Sequence, residues 1–129
     1  MYTVFKFGGA SIKDVENIIN VGEILSSYKN DKLVIIFSAI GKVTNMFENV
    51  VESYVQKNAD PFTALQKAKD FHANILNELF DKKHTIFDEV NNLFVEIEWV
   101  LEEQPNQDYA CDYDQIVSIG EFLSTKIMS

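Results

Sequence analysis

Apolar positions along the chain switch between a strand period and a helix period. Residues 2–7, YTVFKF, form a short apolar run that reads as a strand. Alternation puts Lys6 on one face with Val4, and Phe5 with Phe7 on the other. A helix is predicted from Ser11, with Asp14 as a variant capping-box partner and Val15, Ile18, Ile19, Gly22 and Leu25 on its inner face. Residues 32–38, KLVIIFS, are apolar almost throughout, the pattern of a parallel strand covered on both faces. After a turn at Ala39-Ile40-Gly41, helical spacing resumes at Val43, Met46, Phe47, Val50 and Tyr54.

Asp60-Pro61 marks the next helix start, an N-cap residue followed by proline at the first helical position, and this helix is predicted to reach Phe80. Residues 81–83 are a tight connection. A fourth helix over 85–103 has Ile86, Val90, Leu93, Ile97 and Leu101 inward. Pro105-Asn106-Gln107 reads as a loop. A fifth helix is predicted from near Asp112 to the end, with Ile116, Gly120, Leu123 and Ile127 on one stripe. Two parallel strands make a poor independent core. The chain also stops inside a helix, at STKIMS, with no glycine or proline stop signal. The expectation is a segment of a longer α/β protein.

Composition narrows the functional classes. The chain has 129 residues, 47% hydrophobic and 24% charged, enough for one soluble globular domain with a core. No apolar run is long enough to span a membrane, and no basic-then-apolar leader is present, so a cytoplasmic protein without a membrane partner is expected. The single cysteine, Cys111, excludes an internal disulfide and a zinc site built on several cysteines of one chain, and no metal-ligand set is expected. A formal net charge of -9 argues against nucleic acid as a partner. A small anion is still possible, held by backbone N–H groups, helix N-termini and a few lysines.

Two units share one layout of strand, glycine-containing turn and helix: TVFKFGGAS and LVIIFSAIGKVTN. Parallel strands bring both turns to one carboxyl edge, where open α/β sheets bind ligands and helix N-termini add partial positive charge. Lys6 in an apolar strand is costly unless its charge meets an anion. Gly8 and Gly9 permit positive φ and close approach of a ligand. A phosphate in front of Lys6 accounts for these features; so does a strand-edge lysine followed by an ordinary glycine turn. GKVT is not a P-loop tail, because Ile36 stands where that pattern needs glycine.

KFGGAS, FSAIGKVTN and DYDQIVSIGEFLS, in this order, resemble the N-terminal part of aspartate kinases, which belong to the amino acid kinase family. The family pattern reads KFGGTS, a strand ending SA-x-x-x-x-TN, and a late S-x-GE. The resemblance covers nearly the whole chain, with the 60–105 helices matching only in pattern. It implies an α/β fold: the N-terminal portion of a three-layer αβα sandwich with parallel strands, helix-rich in this stretch. Residues 1–129 would be the N-terminal part of a catalytic domain, without its nucleotide-binding half and ACT regulatory domains.

The implied reaction is phosphoryl transfer from ATP with Mg2+ to the side-chain carboxylate of L-aspartate. The product is 4-phospho-L-aspartate, on the way to lysine, threonine and methionine. The resemblance assigns Lys6 and Ser38 to catalysis and Lys6, Gly8, Gly9, Ala10 and Ser11 to the phosphates. Ser38, Thr44 and Glu121 fall to the substrate, Glu121 pairing with its ammonium group. Ala10 departs from the family threonine and removes a hydroxyl near the phosphates. The family is usually dimeric, which makes Trp99 and the 60–103 hairpin a candidate subunit contact. The segment alone is expected to be inactive. Alternatives are an acetylglutamate or uridylate kinase, which share the lysine-glycine opening but not the TN and GE motifs together, a fused aspartokinase–homoserine dehydrogenase, and a non-catalytic amino-acid-binding module.

Other titratable residues read as structural. His72 shares a helix face with Ala68, Ile75 and Leu79 and is expected to be packed, and His84 to mark a helix entry. Glu96 and Glu98, two residues apart on a helix, face apart and read as surface charge.

Overall fold

A computed structural model describes residues 2–57, 59–103 and 109–129. The loop expected at Pro105-Asn106-Gln107 lies outside the described residues. Two parallel strands, β1 (Thr3–Phe7) and β2 (Leu33–Phe37), pair in register from Thr3 opposite Leu33 to Phe7 opposite Phe37. Strand alternation then sorts the side chains. Phe7 is buried, and Phe5, Leu33, Ile35 and Phe37 are partly buried on the same face, with the Phe7 and Phe37 rings stacked at 5.5 Å. The other face is open: Val4 is 61% exposed, Val34 43% and Ile36 48%, and Lys6 stands among them. The apolar run of β2 is therefore covered on one face only among the described residues, not on both as its pattern suggests.

The segment between the strands also differs from expectation. Residues Gly9–Ile12 form a 3-10 turn, and helix α1 (Val15–Ser26) starts after it. Asp14 is itself the N-cap: its carboxylate accepts from the Asn17 backbone N–H at 2.9 Å. These Asn17 hydrogen bonds, first from the backbone and then from the side chain, hold the Asp14 carboxyl below its ordinary range. With the helix starting later, Ile18 and Val21 are its buried residues, and Ile19 is 50% exposed.

Helix α2 (Val43–Gln56) follows the second turn and ends at Lys57 in the left-handed region, φ 55°. Its buried Val43, Phe47, Val50, Val51 and Tyr54 run through the core. Helix α3 (Pro61–Leu79) starts where Asp60-Pro61 indicates, the Asp60 carboxylate accepting from Phe62 N–H at 3.0 Å. Helix α4 (Ile86–Glu102) is entered at His84, whose Nδ1 accepts from Ile86 N–H at 3.0 Å; Phe94, rather than Leu93, is buried with Ile86, Val90, Ile97 and Leu101. Lys69 of α3 pairs with Glu98 of α4, so Glu98 is a half-buried link between helices rather than free surface charge. Helix α5 (Tyr109–Met128) begins before Asp112 and buries Ile116, Gly120, Leu123 and Ile127 as their spacing predicts.

Candidate functional site

The two turns at the carboxyl edge of the sheet are bonded to each other. Ser38 N–H donates to the Phe7 carbonyl at 3.0 Å, and Gly41 N–H to the Gly9 carbonyl at 3.1 Å. Inside the first turn Ser11 N–H donates to the Gly8 carbonyl at 3.0 Å.

The three glycines serve different ends. A Cβ at Gly9 would lie 2.9 Å from the carbonyl oxygens of both Ala39 and Gly41, so glycine lets the turns touch. Gly41, at φ +49° against Lys13, is the glycine in the left-handed region. Gly8 has an extended backbone, φ -77° and ψ 171°, and nothing within 4 Å of where a Cβ would stand. Positive φ is thus needed at Gly41 and not at Gly8 or Gly9. The fold itself makes no demand for glycine at position 8.

Lys6 and Gly8 continue the open face of β1, and Ser38, two residues past Ile36, continues that of β2. Lys6 is exposed and has no ion-pair partner among the described residues; Ser38 is half-buried. Ala10 and Ser11 are exposed in the 3-10 turn. Thr44 is exposed in the first turn of α2, where the N-cap residue Lys42 makes no capping side-chain bond. That end of α2 presents partial positive charge.

Glu121 reaches the same end through α5. Its neighbour Gly120 packs on α2, where a Cβ would meet Phe47 Cδ2 at 3.1 Å and Val43 Cγ1 at 3.2 Å. Farther along the seam the Tyr113 hydroxyl donates to Glu48 Oε1 at 2.7 Å. That bond, with burial and the Glu48 charge behind it, pushes the Tyr113 phenol above its ordinary range. Contacts of 113 with 48 and 120 with 43 run in opposite directions, so the helices are antiparallel.

Lys6, Gly8 and Ser38 are therefore gathered at one sheet edge, and Thr44 and Glu121 are carried to that edge by helices. Neither the Tyr113–Glu48 pair nor the positive φ of Gly41 was anticipated from sequence. The only local signal for the former is that Tyr113 and Glu48 sit four-residue steps away from Glu121 and Thr44 on their helices. A cleft of about 450 Å³ borders the turns through Ala10, Gly41, Lys42, Met46 and Phe71, and includes none of Lys6, Ser38, Thr44 or Glu121. Among the described residues no cluster of His, Cys, Asp and Glu could hold a metal ion, and no helix is long and apolar enough to cross a membrane.

Comparison with known proteins identifies the fold and the family. The chain is 29% identical over 129 residues to aspartokinase 3, chloroplastic, of Arabidopsis thaliana, covering 98% of this chain and 23% of that protein. It is 25% identical to a bifunctional aspartokinase/homoserine dehydrogenase of Buchnera aphidicola, covering 97% of this chain and 16% of that one. The chain thus spans about a quarter or less of the length of these relatives. In fold it matches E. coli aspartokinase III in complex with lysine and aspartate, with a TM-score of 0.82 at 24% identity. The match to the same enzyme in complex with aspartate and ADP has a TM-score of 0.81 at 26% identity. Both cover 99% of this chain and 28% of the solved chain. The family model for the amino acid kinase family matches residues 1–129. The parallel strands, the turns bonded at their carboxyl edge and this match over the whole length place the chain in the amino acid kinase family.

Proposed function

We propose that residues 1–129 are the N-terminal part of an aspartate kinase catalytic domain, and that the parent enzyme phosphorylates the side-chain carboxylate of L-aspartate. The observation that carries the reading is Lys6. It is an exposed cation without a described ion-pair partner, at the carboxyl edge of the sheet, beside a Gly8 that the fold itself does not require. The relatives named for aspartokinase activity, and the neighbour holding aspartate and ADP, support the substrate pair.

The chemistry asks little of the protein beyond position and charge. An aspartate carboxylate is ionised at neutral pH and needs no general base. MgATP supplies the phosphoryl group: its terminal P–O bond breaks, a P–O bond to the carboxylate oxygen forms, and ADP leaves with the electron pair. Lys6 offsets charge on the transferring phosphoryl oxygens. The N–H groups of Gly8, Gly9 and Ala10 line the phosphates, Ala10 offering only its backbone, and Ser11, whose N–H is bonded to the Gly8 carbonyl, offers its hydroxyl. Ser38 stands at the reacting centre, Thr44 holds the amino-acid end, and Glu121 pairs with the ammonium. The remaining nucleotide contacts lie outside this chain, which does not turn over by itself. A dimeric, cytoplasmic parent enzyme completes the reading.

The test uses the longest product the gene encodes, incubated with MgATP and L-aspartate, with hydroxylamine to trap acyl phosphate. Aspartyl hydroxamate forms, and Lys6→Ala lowers its rate by about 100-fold or more, as loss of a charge-stabilising donor does. An unchanged rate in Lys6→Ala removes Lys6 from the site. Turnover with another carboxylate but not aspartate overturns the substrate, and turnover by the isolated 129 residues overturns the claim of incompleteness.

A further inference from the structure

Thr44 and Glu121 come from helices far apart in sequence, so something must set how α5 lies on α2. Two contacts on that seam bear on this. Gly120 sets the separation, because its missing Cβ admits the Phe47 ring edge and the Val43 methyl. The Tyr113–Glu48 hydrogen bond, 2.7 Å across 65 residues of sequence, crosses the seam at one point along its length.

Helical geometry links this bond to the site. Glu48 lies four residues from Thr44 on α2, and Tyr113 lies two four-residue steps from Glu121 on α5, by way of Val117. In an antiparallel pair, these two rows line the same side of the seam. Thr44 is exposed near one end of its row and Glu121 near the corresponding end of the other. A slip of one residue along α5 would move Glu121 by about 1.5 Å and turn it by about 100°. Displacements of about 1 Å at a reacting site cost up to about 100-fold in rate.

We propose that Tyr113 and Glu48 are positioning residues: their hydrogen bond locks the register of α5 on α2 and so holds Glu121 beside Thr44 to receive an amino-acid substrate. This rests on Glu121 and Thr44 being the substrate groups named above. Neither Tyr113 nor Glu48 touches the substrate. The bond acts on the amino-acid end and leaves the phosphate turn at Gly8 and Gly9 alone.

The test is a kinetic split in the longest product the gene encodes. Tyr113→Phe raises KM for L-aspartate about threefold to tenfold and leaves KM for ATP within about twofold, the scale expected from one lost hydrogen bond. Glu48→Gln keeps a carbonyl acceptor and stays near wild type, whereas Glu48→Ala reproduces Tyr113→Phe. The double variant Tyr113→Phe/Glu48→Ala is no worse than either single one. Equal rises in both KM values, no rise for aspartate, or additive single effects overturn the proposal. Spin labels at Thr44→Cys and Glu121→Cys, with Cys111→Ser, read the seam without turnover. The distance distribution is narrow and broadens with Tyr113→Phe; an unchanged distribution overturns the proposal even if wild type shows no activity toward aspartate. Absent aspartate turnover together with a broadened distribution overturns the substrate reading alone and leaves the register lock standing.

Discussion

The Gly41 amide donates to the Gly9 carbonyl at 3.1 Å, and this bond pins the turn after β1 to the turn after β2. The approach is possible because Gly9 has no side chain: a methyl there would stand 2.9 Å from two backbone oxygens, which cannot swing away as a side chain could. Gly9→Ala is therefore expected to cost about 1–3 kcal/mol or more, through overpacking against fixed atoms. Gly8→Ala meets open space at an ordinary φ and should stay within about 1 kcal/mol of wild type. Urea denaturation of the two variants checks the contrast, with a loss at position 9 and near-neutrality at position 8. Equal destabilisation of both would contradict the assignment. In the longest gene product the hydroxamate assay should reverse the order of interest, with Gly8→Ala folded but impaired.

His72 is wholly buried among the rings of Phe47, Phe71 and Phe94, one each from α2, α3 and α4. Its Nδ1 lies 2.7 Å from the Ala68 carbonyl, which can only accept, so Nδ1 carries the proton. Nε2 is then a bare lone pair without a partner among the described residues. Burial pushes the His72 pKa below its ordinary value of 6.5, with the Ala68 bond pulling weakly the other way. The unfolded chain takes up a proton near pH 6.5 while the folded chain resists it. Stability is thus complete above that pH and falls as pH drops below it, by at most about 1.4 kcal/mol per pH unit. Denaturant melts between pH 8 and 5 should show this slope, and His72→Leu should flatten it. An identical slope in His72→Leu would place the titration elsewhere.

The sequence was informative where a residue's role depends on its own element. The apolar stripes of α2 and α5 and the Asp60-Pro61 helix start are local patterns, and each stands where its spacing predicts. The placement of Lys6 opposite Phe5 and Phe7 follows from strand alternation alone. Ser11 and Asp14 are both good capping residues, and choosing between them needed the 3-10 turn that consumes Gly9–Ile12. The need for glycine at position 9 comes from Ala39 and Gly41, thirty or so residues away, and no local rule could supply it. The same holds for Tyr113 and Glu48, which share no motif. Local pattern thus puts Lys6 and Ser38 at the ends of their strands, while the contacts that hold the two turns together there are non-local.

The bare face of the sheet has a colloidal consequence. Val4, Val34 and Ile36 form an exposed apolar strip around Lys6, and among the described residues both strands are sheet edges, so two copies could meet face to face or edge to edge. Mutual repulsion from a net charge of -9 opposes such meetings between copies of the 129-residue chain. That repulsion reaches about 10 Å in 0.1 M salt and about 3 Å in 1 M salt. Light scattering should therefore report a mass that climbs as sodium chloride is added and stays flat for Ile36→Lys. A salt-independent mass in the unaltered chain would mean the strip is not adhesive. For anyone handling this chain, salt, the usual remedy for sticky proteins, would promote clumping.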